Sequence, residues 1–347
     1  MTPSRSTVRQ QAIHRGLDFI YRTACDPQNF AEYGFDYLGC FYGIASTSKD
    51  QTLRDTALRM GRERARCWRR NNPRVPPDAD ADEIAYLVHG SSAADKLGVP
   101  GKRIEKQLLK AAGNFTALEY LCFDPQREPP PTDVPEECSC GKFNDRGRKT
   151  CSQCHRRLTM LSCYGVWLDA LIRTYIGERY GSKLGASFAD VLRWLPSMRP
   201  YPLYEDADFD WAVYAVTHVV YTLNDYSTYL LSPRWLPQEF AFLKRNLKHA
   251  ITLDDPETTG EFLDSLRSFG LTENHPLIRT GIDYLLSNQN PDGSWGDMKA
   301  EGIYERYHPT WTAIDGLREY AWHGQRLSFP ECEPLLISWA RKDRFSN

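Results

Sequence analysis

The sequence is short of three things. It has no apolar run as long as the roughly eighteen residues a membrane-crossing helix needs, so no such span is expected. It has no stretch of convincing apolar/polar alternation, which argues against a β domain. Its formal charge is only -2, with 43 basic and 45 acidic residues, which gives no reason to expect wholesale binding to nucleic acid or to acidic surfaces. The N-terminus, MTPSRSTVRQQAIHR, lacks the apolar core of a secretory signal, and its first acid is Asp18. A transit peptide and an ordinary frayed terminus both fit that composition. Cysteine is not scarce: there are 10, and six lie singly in apolar helical text. That usage suits a reducing, cytoplasmic setting rather than a disulfide framework.

What is present is helical periodicity over most of 347 residues, enough for one large or two ordinary domains. Helices are expected over 8–24, 29–46, 52–70, 82–89, 102–112 and 116–122, and again from 158 to 339, with turns at 196–208, 232–237, 252–257, 271–275 and 290–307. Arg59, Arg62, Arg66 and Arg69 form one stripe at helical spacing, readable as an anion site or as a solvated face. Residues 124–137, DPQREPPPTDVPEE, are too rich in proline and acid to be helical. They lead into Cys138-Ser-Cys140, ten residues, and Cys151-Ser-Gln-Cys154, which is structural-zinc spacing in a polar stretch with little core of its own. Three parts result: an N-terminal helical half (1–123), a Pro-rich linker with a four-cysteine knuckle (124–157), and a C-terminal helical half (158–347).

The later helices repeat. Cys163-Tyr-Gly-Val-Trp-Leu-Asp-Ala-Leu-Ile-Arg173-Thr-Tyr175 superimposes on the stretch from His308 to Arg318 and Tyr320. His218 and His308 share an aromatic-Thr pair and a following aspartate, Asp225 and Asp315; Glu257 has Asp264 at the same offset, and Glu261 competes with it one turn on. Weaker echoes place Glu32 and His89 in the same series. A helix-pair repeat explains the spacing. If these helices are the inner ones of a closed array, Glu32, His89, Cys163, His218, Glu257 or Glu261, and His308 point at one space. Imidazole, thiolate and carboxylate are metal-ligand types, so a central zinc or non-haem iron is one reading, and polar helix ends facing a wet cavity are the other. The aspartates would then orient the imidazoles. Asp206-Ala-Asp208-Phe-Asp210 opens the helix that carries His218. Asp208 or Asp210 in an apolar cavity suits a general acid, while acids at a solvated helix N-terminus are the plain alternative.

The clearest single stretch runs from Arg279 to Tyr320. Gln289, Gly293 and Trp295 have the spacing QxxxGxW, preceded by Gly281 and Tyr284-Leu285, and a second helix opens near His308-Pro309. This stretch resembles the QW motif of terpenoid cyclases, whose fold is similar to that of the protein prenyltransferase β subunits. The resemblance covers about forty residues and implies an all-α fold, an α/α toroid of repeated helix pairs. It also implies a small, largely apolar, isoprenoid-like substrate in a central cavity, lined here by Trp167, Tyr214, Tyr221 and Trp311. His308 matches the context of the prenyltransferase zinc-ligand histidine, but the accompanying Asp-x-Cys pair has no counterpart near 254–264. The class II cyclase acid motif, DxDD, is one residue out of register with Asp206–Asp210. Three functions are carried forward: a metal-dependent enzyme using His218, His308 and Glu257 or Cys163; a metal-free cyclase using Asp208 or Asp210; and a scaffold that docks a partner through its knuckle.

Overall fold

A computed structural model describes residues 5–345. Every regular element among them is a helix: α1 (Arg5–Cys25), α2 (Pro27–Thr47), α3 (Gln51–Asn71), α4 (Ala81–Lys96), α5 (Lys102–Ala112), α6 (Ala117–Leu121), α7 (Cys163–Tyr180), α8 (Phe188–Leu192), α9 (Phe209–Leu223), α10 (Pro237–Thr252), α11 (Pro256–Ser268), α12 (Pro276–Ser287), α13 (Tyr304–Leu317) and α14 (Glu333–Phe345), with short 3-10 turns at Leu195–Met198 and Pro330–Cys332. Among the described residues no helix is long and apolar enough to cross a membrane. Extended pairing is limited to isolated bridges.

Helix starts follow local chemistry. Asp26, Asp50 and Asp255 cap α2, α3 and α11 through their side chains, and prolines occupy the first turn of α2, α10, α11 and α12. Helical structure expected at 158–162, 181–187, 224–231 and 318–329 is absent, and two further boundaries differ for a visible reason. α4 runs past His89 because Arg69 donates to Ser91 Oγ at 3.0 Å and pairs with Asp95 at 2.6 Å, giving the extra turns a partner. α13 begins one turn before His308, leaving Pro309 inside the helix. The rings of Tyr304 and Tyr307 pack on Tyr33 and on each other, and this contact holds the added turn. In the arginine stripe, Arg62 and Arg69 are spent on the carbonyls of Leu97 and Val99, whereas Arg59 and Arg66 are exposed.

The chain divides into two compact units that do not match its N- and C-terminal halves: 1–73 with 90–101 and 223–347, and 74–89 with 102–222. In the first unit, α2, α13 and α11 run parallel. From one end to the other, Asp36 and Tyr37 meet Tyr307, and Thr47 and Ser48 meet Arg318. On the other side Glu257 meets His308, and Arg267 meets the carbonyls of Gly316 and Arg318. α11 and α13 touch backbone to backbone: a Cβ on Gly260 would overlap the main chain of Thr312. Each of the three is preceded in the chain by another helix, α1, α12 or α10.

The QxxxGxW stretch clasps this unit. Trp295 is fully buried; its Nε1 donates to Leu285 O at 2.8 Å, and its backbone N–H donates to Thr310 Oγ1 at 2.9 Å. Gln289 Nε2 donates to Ala12 O at 2.8 Å and to Gly293 O at 2.9 Å, tying α12 to α1. Gly293 has φ 95°, and a Cβ there would stand 2.6 Å from Arg15 O, so both backbone and space require glycine. Trp295→Ala is expected to cost about 3–5 kcal/mol in urea unfolding, the range for removing a buried aromatic side chain.

In the second unit, Trp167 is fully buried, with its Nε1 donating to Val191 O at 2.9 Å. It is a core residue, not the cavity-lining ring the sequence suggested. Arg173 pairs with Asp82 at 2.6 Å and donates to Tyr120 O at 2.9 Å.

Candidate metal centre and acid-histidine site

The insert has almost no apolar core besides its own sulfurs, with Leu158 and Met160 packed on them. Two tight turns bring the cysteines together. In the first, Gly141 N donates to Cys138 O at 2.7 Å and Cys138 N to Lys142 O at 3.1 Å; in the second, Cys151 N donates to Arg156 O at 2.8 Å. The left-handed residues the turns need are Gly141 and His155. Bridges between Thr150 and Arg157 and between Pro135 and Met160 close the ends. All four Sγ atoms lie within 4.8 Å of one another, with Cys138–Cys154 at 3.4 Å and Cys140–Cys151 at 3.7 Å. Four sulfurs about 2.3 Å from a tetrahedral ion would be about 3.8 Å apart, so the set fits a metal ion such as zinc. Backbone N–H groups of Cys154 and Gln153 aim at Cys151 and lower its thiol to about 6, which favours the ligating thiolate. No other group of three or more His, Cys, Asp or Glu ligand atoms converges this closely among the described residues.

A second constellation lies inside the first unit, where the parallel helices meet. His308 on α13 has Nδ1 3.0 Å from Glu257 Oε1 on α11, and both side chains are mostly buried. The N–H is poorly aligned on that oxygen, so the attraction is chiefly that of opposite charges. Tyr304 stacks on the imidazole with centroids 4.9 Å apart, and Trp311 meets it edge-on at 5.9 Å. From α2, Asp36 accepts the Tyr307 hydroxyl at 2.9 Å. Glu261, 2% exposed, follows Glu257 by one turn.

Burial alone would lower the His308 pKa. The charge of Glu257 first, with those of Glu261 and Asp36 behind it, outweighs burial and raises the ring to about 9. Burial raises the Asp36 carboxyl, opposed by His308 and by the Tyr307 hydroxyl. His308 is therefore an imidazolium at neutral pH, its Nδ1 3.0 Å from Glu257 Oε1 as an ion pair without an aligned hydrogen bond. A base whose folded pKa lies above its unfolded value stabilises the fold fully below about 6.5, and that stability is lost as pH rises through about 9. Urea unfolding should show a fall on the order of 2–3 kcal/mol across this window, absent from His308→Gln.

Below this site is a polar network that the sequence assigned to orienting imidazoles. Asp315 instead accepts Arg318 Nε at 2.6 Å, and Asp264 accepts the Ser227 hydroxyl at 2.8 and 2.9 Å. Burial first, then the Asp315 charge, raises Asp264 to about 7. Ser227 ends a run of three left-handed, non-glycine residues, Asp225, Tyr226 and Ser227, with φ 57°, 48° and 65°. Such a run is costly and persists only where its surroundings over-determine it. The Asn224 side chain, accepting from Ser227 N at 2.8 Å, and Asp264 supply that hold. Asp36 and Glu261, after burial, raise the Tyr226 hydroxyl pKa, which places this ring within their field.

Apart from Glu32, the remaining expected residues belong to the second unit. His218 Nδ1 lies 2.9 Å from Tyr214 O, which makes Nδ1 the protonated nitrogen, and the ring packs edge-on against Tyr221. Tyr214, His218 and Tyr221 share one partly accessible stripe of α9. Cys163 begins α7; burial and then the Asp208 charge raise its thiol. Asp208 and Asp210 are exposed at the start of α9, the solvated helix end of the plain alternative rather than an apolar cavity. Glu32 is exposed, and Asp36, one turn on, takes the place expected of it. No protein-family model matches the chain, and no curated protein or solved structure matches it either, so the site is read from its own geometry.

Proposed function

We propose that this protein is an enzyme on an α/α toroid of helix pairs, with structural zinc on Cys138, Cys140, Cys151 and Cys154. Nε2 of His308 is then its working atom. Support for the toroid comes from three parallel helices, each following a partner helix, and from the QxxxGxW clasp between them. The observation that carries the catalytic reading is the His308–Glu257 pair at 3.0 Å. It sets Nδ1 and its charge against Glu257, and Nε2 is then the nitrogen that would act. Aromatic walls of Tyr304 and Trp311 suit a small, largely apolar substrate. As an imidazolium, His308 donates a proton from Nε2, and Asp36 or Glu261 accepts one elsewhere on the substrate.

One observation favours a second reading. Three carboxylates face one imidazole, an excess of negative charge that burial penalises and that a divalent cation would relieve. A metal on Nε2, zinc or iron, would polarise the substrate, with Glu257 fixing the ring.

Elemental analysis of purified protein separates the two. Acid-base chemistry predicts one metal equivalent per chain, unchanged in His308→Ala. The metal reading predicts two, one of them lost in His308→Ala and the other on removing the cysteines. Wild-type turnover of candidate substrates that survives intact in His308→Ala would overturn both.

A further inference from the structure

The overall charge of -2 conceals a local excess. Between Cys138 and Leu158 stand six cationic residues, Lys142, Arg146, Arg148, Lys149, Arg156 and Arg157, against one acid, Asp145. Two are already committed. Arg146 pairs with Glu128 and Asp133, each at 2.6 Å, and Arg156 donates to Ser139 Oγ at 2.8 Å. Lys142, Arg148, Lys149 and Arg157 are exposed and have no carboxylate partner among the described residues. Beside Lys142 stands Phe143, 65% exposed, the most exposed large apolar side chain of the described residues. The cysteine framework fixes the backbone beneath these groups, so their display is rigid rather than a charged tail.

We infer that this knuckle face binds single-stranded nucleic acid without sequence preference: the four unpaired cations track phosphates and Phe143 stacks a base. Charge alone would suit any polyanion. The bare ring next to Lys142 in the chain favours a partner that carries flat faces as well as negative charge. Duplex DNA is a poorer match, because its bases are already stacked and a ring on a small knuckle has no free face to meet. The inference is independent of the His308 reading and stands or falls on the insert alone.

The test is fluorescence anisotropy of a fluorescein-labelled 20-mer of deoxythymidine with full-length, metal-loaded protein. Saturable binding is expected at low salt, weakening with a log-log salt slope of about -3 for four phosphate contacts on a single strand. Phe143→Ala should weaken it about tenfold, within the range for loss of one stacked base. Lys149→Glu with Arg157→Glu should weaken it at least about a hundredfold. Equal far-UV spectra and unchanged metal content would show that the variants fold. Absence of binding at low salt, or binding indifferent to both variants, overturns the inference. Displacement of the oligonucleotide by polyglutamate as effectively as by unlabelled strand, with no effect of Phe143→Ala, overturns it in favour of an acidic protein partner.

Discussion

Replacing Cys138 and Cys151 together by serine is expected to remove one metal equivalent per chain and to unfold the insert while leaving the helices in place. The reason lies in what the segment has to fold with. Its apolar core is Leu158 and Met160 around the sulfurs, and its regular pairing is two isolated bridges. Structural zinc in small domains contributes binding free energy of about 10–16 kcal/mol, which is folding free energy when no site exists in the unfolded chain. Without the ion, four thiols at 3.4–3.7 Å in facing pairs have no reason to converge, and the Pro-rich approach offers no helix to fall back on. Limited proteolysis should cut the variant between about residues 133 and 160, where the metal-loaded protein resists, with far-UV ellipticity little changed. A variant that keeps its metal, or loses helix throughout, would show that the knuckle is not the autonomous metal centre described.

The second large effect concerns Arg318. It is 2% exposed, yet carries a full charge, and its donors are distributed to Asp315 at 2.6 Å, Thr47 at 2.8 Å and Ser48 at 3.2 Å. Its guanidinium lies 4.0 Å from the centroid of the Tyr320 ring, which faces Arg267 at 5.3 Å. Arg318→Ala would strand Asp315, a half-buried carboxylate, without its partner, beside an Asp264 already raised to about 7. Breaking a buried pair from one side typically costs about 3–5 kcal/mol. The loss should be larger at pH 8 than at pH 5, since Asp264, raised to about 7, can take up a proton at low pH and relieve the repulsion. Arg318→Lys should recover little, because a single ammonium cannot reach an acid and two hydroxyls on separate elements in the same way. Equal stability of Arg318→Ala and wild type at pH 8 would contradict the network.

The parts of the structure legible in the sequence are those set by local rules. Apolar periodicity located α1, α2, α3 and α5 closely, because each buries one face at a 3.6-residue repeat. The cysteine spacing identified the knuckle, since two short hairpin turns require it. Gln289, Gly293 and Trp295 announced their clasp because each has one stereochemical job. The register of the two helices put Glu257 or Glu261 in the same space as His308, but the choice of Glu257 and its ion pair with the ring were not readable. Legibility ended where tertiary contacts chose between neighbouring turns. Asp36 rather than Glu32 lies within the field of His308, and the two carboxylates flank a kink of α2 at Tyr33, with φ -114° and ψ 19°. The aspartates following Glu257 and His308 were assigned to imidazoles, but a buried arginine and a serine claimed them. The left-handed run at Asp225–Ser227 left no signal, since nothing in Asn-Asp-Tyr-Ser demands positive φ without Asp264 opposite.

The central claim is that His308 is a charged, oriented imidazole set against Glu257, and the titration of its ring tests this most directly. Nitrogen-15 histidine spectra, with His308→Gln to assign the resonance, should show a midpoint near 9. In Glu257→Gln, with the largest opposing charge removed, that midpoint should fall back towards or below 6.5. Bound metal on Nε2 would instead abolish the titration in metal-loaded protein and restore it on chelation. A metal-free ring that titrates near 6.5 and ignores Glu257→Gln would contradict the account.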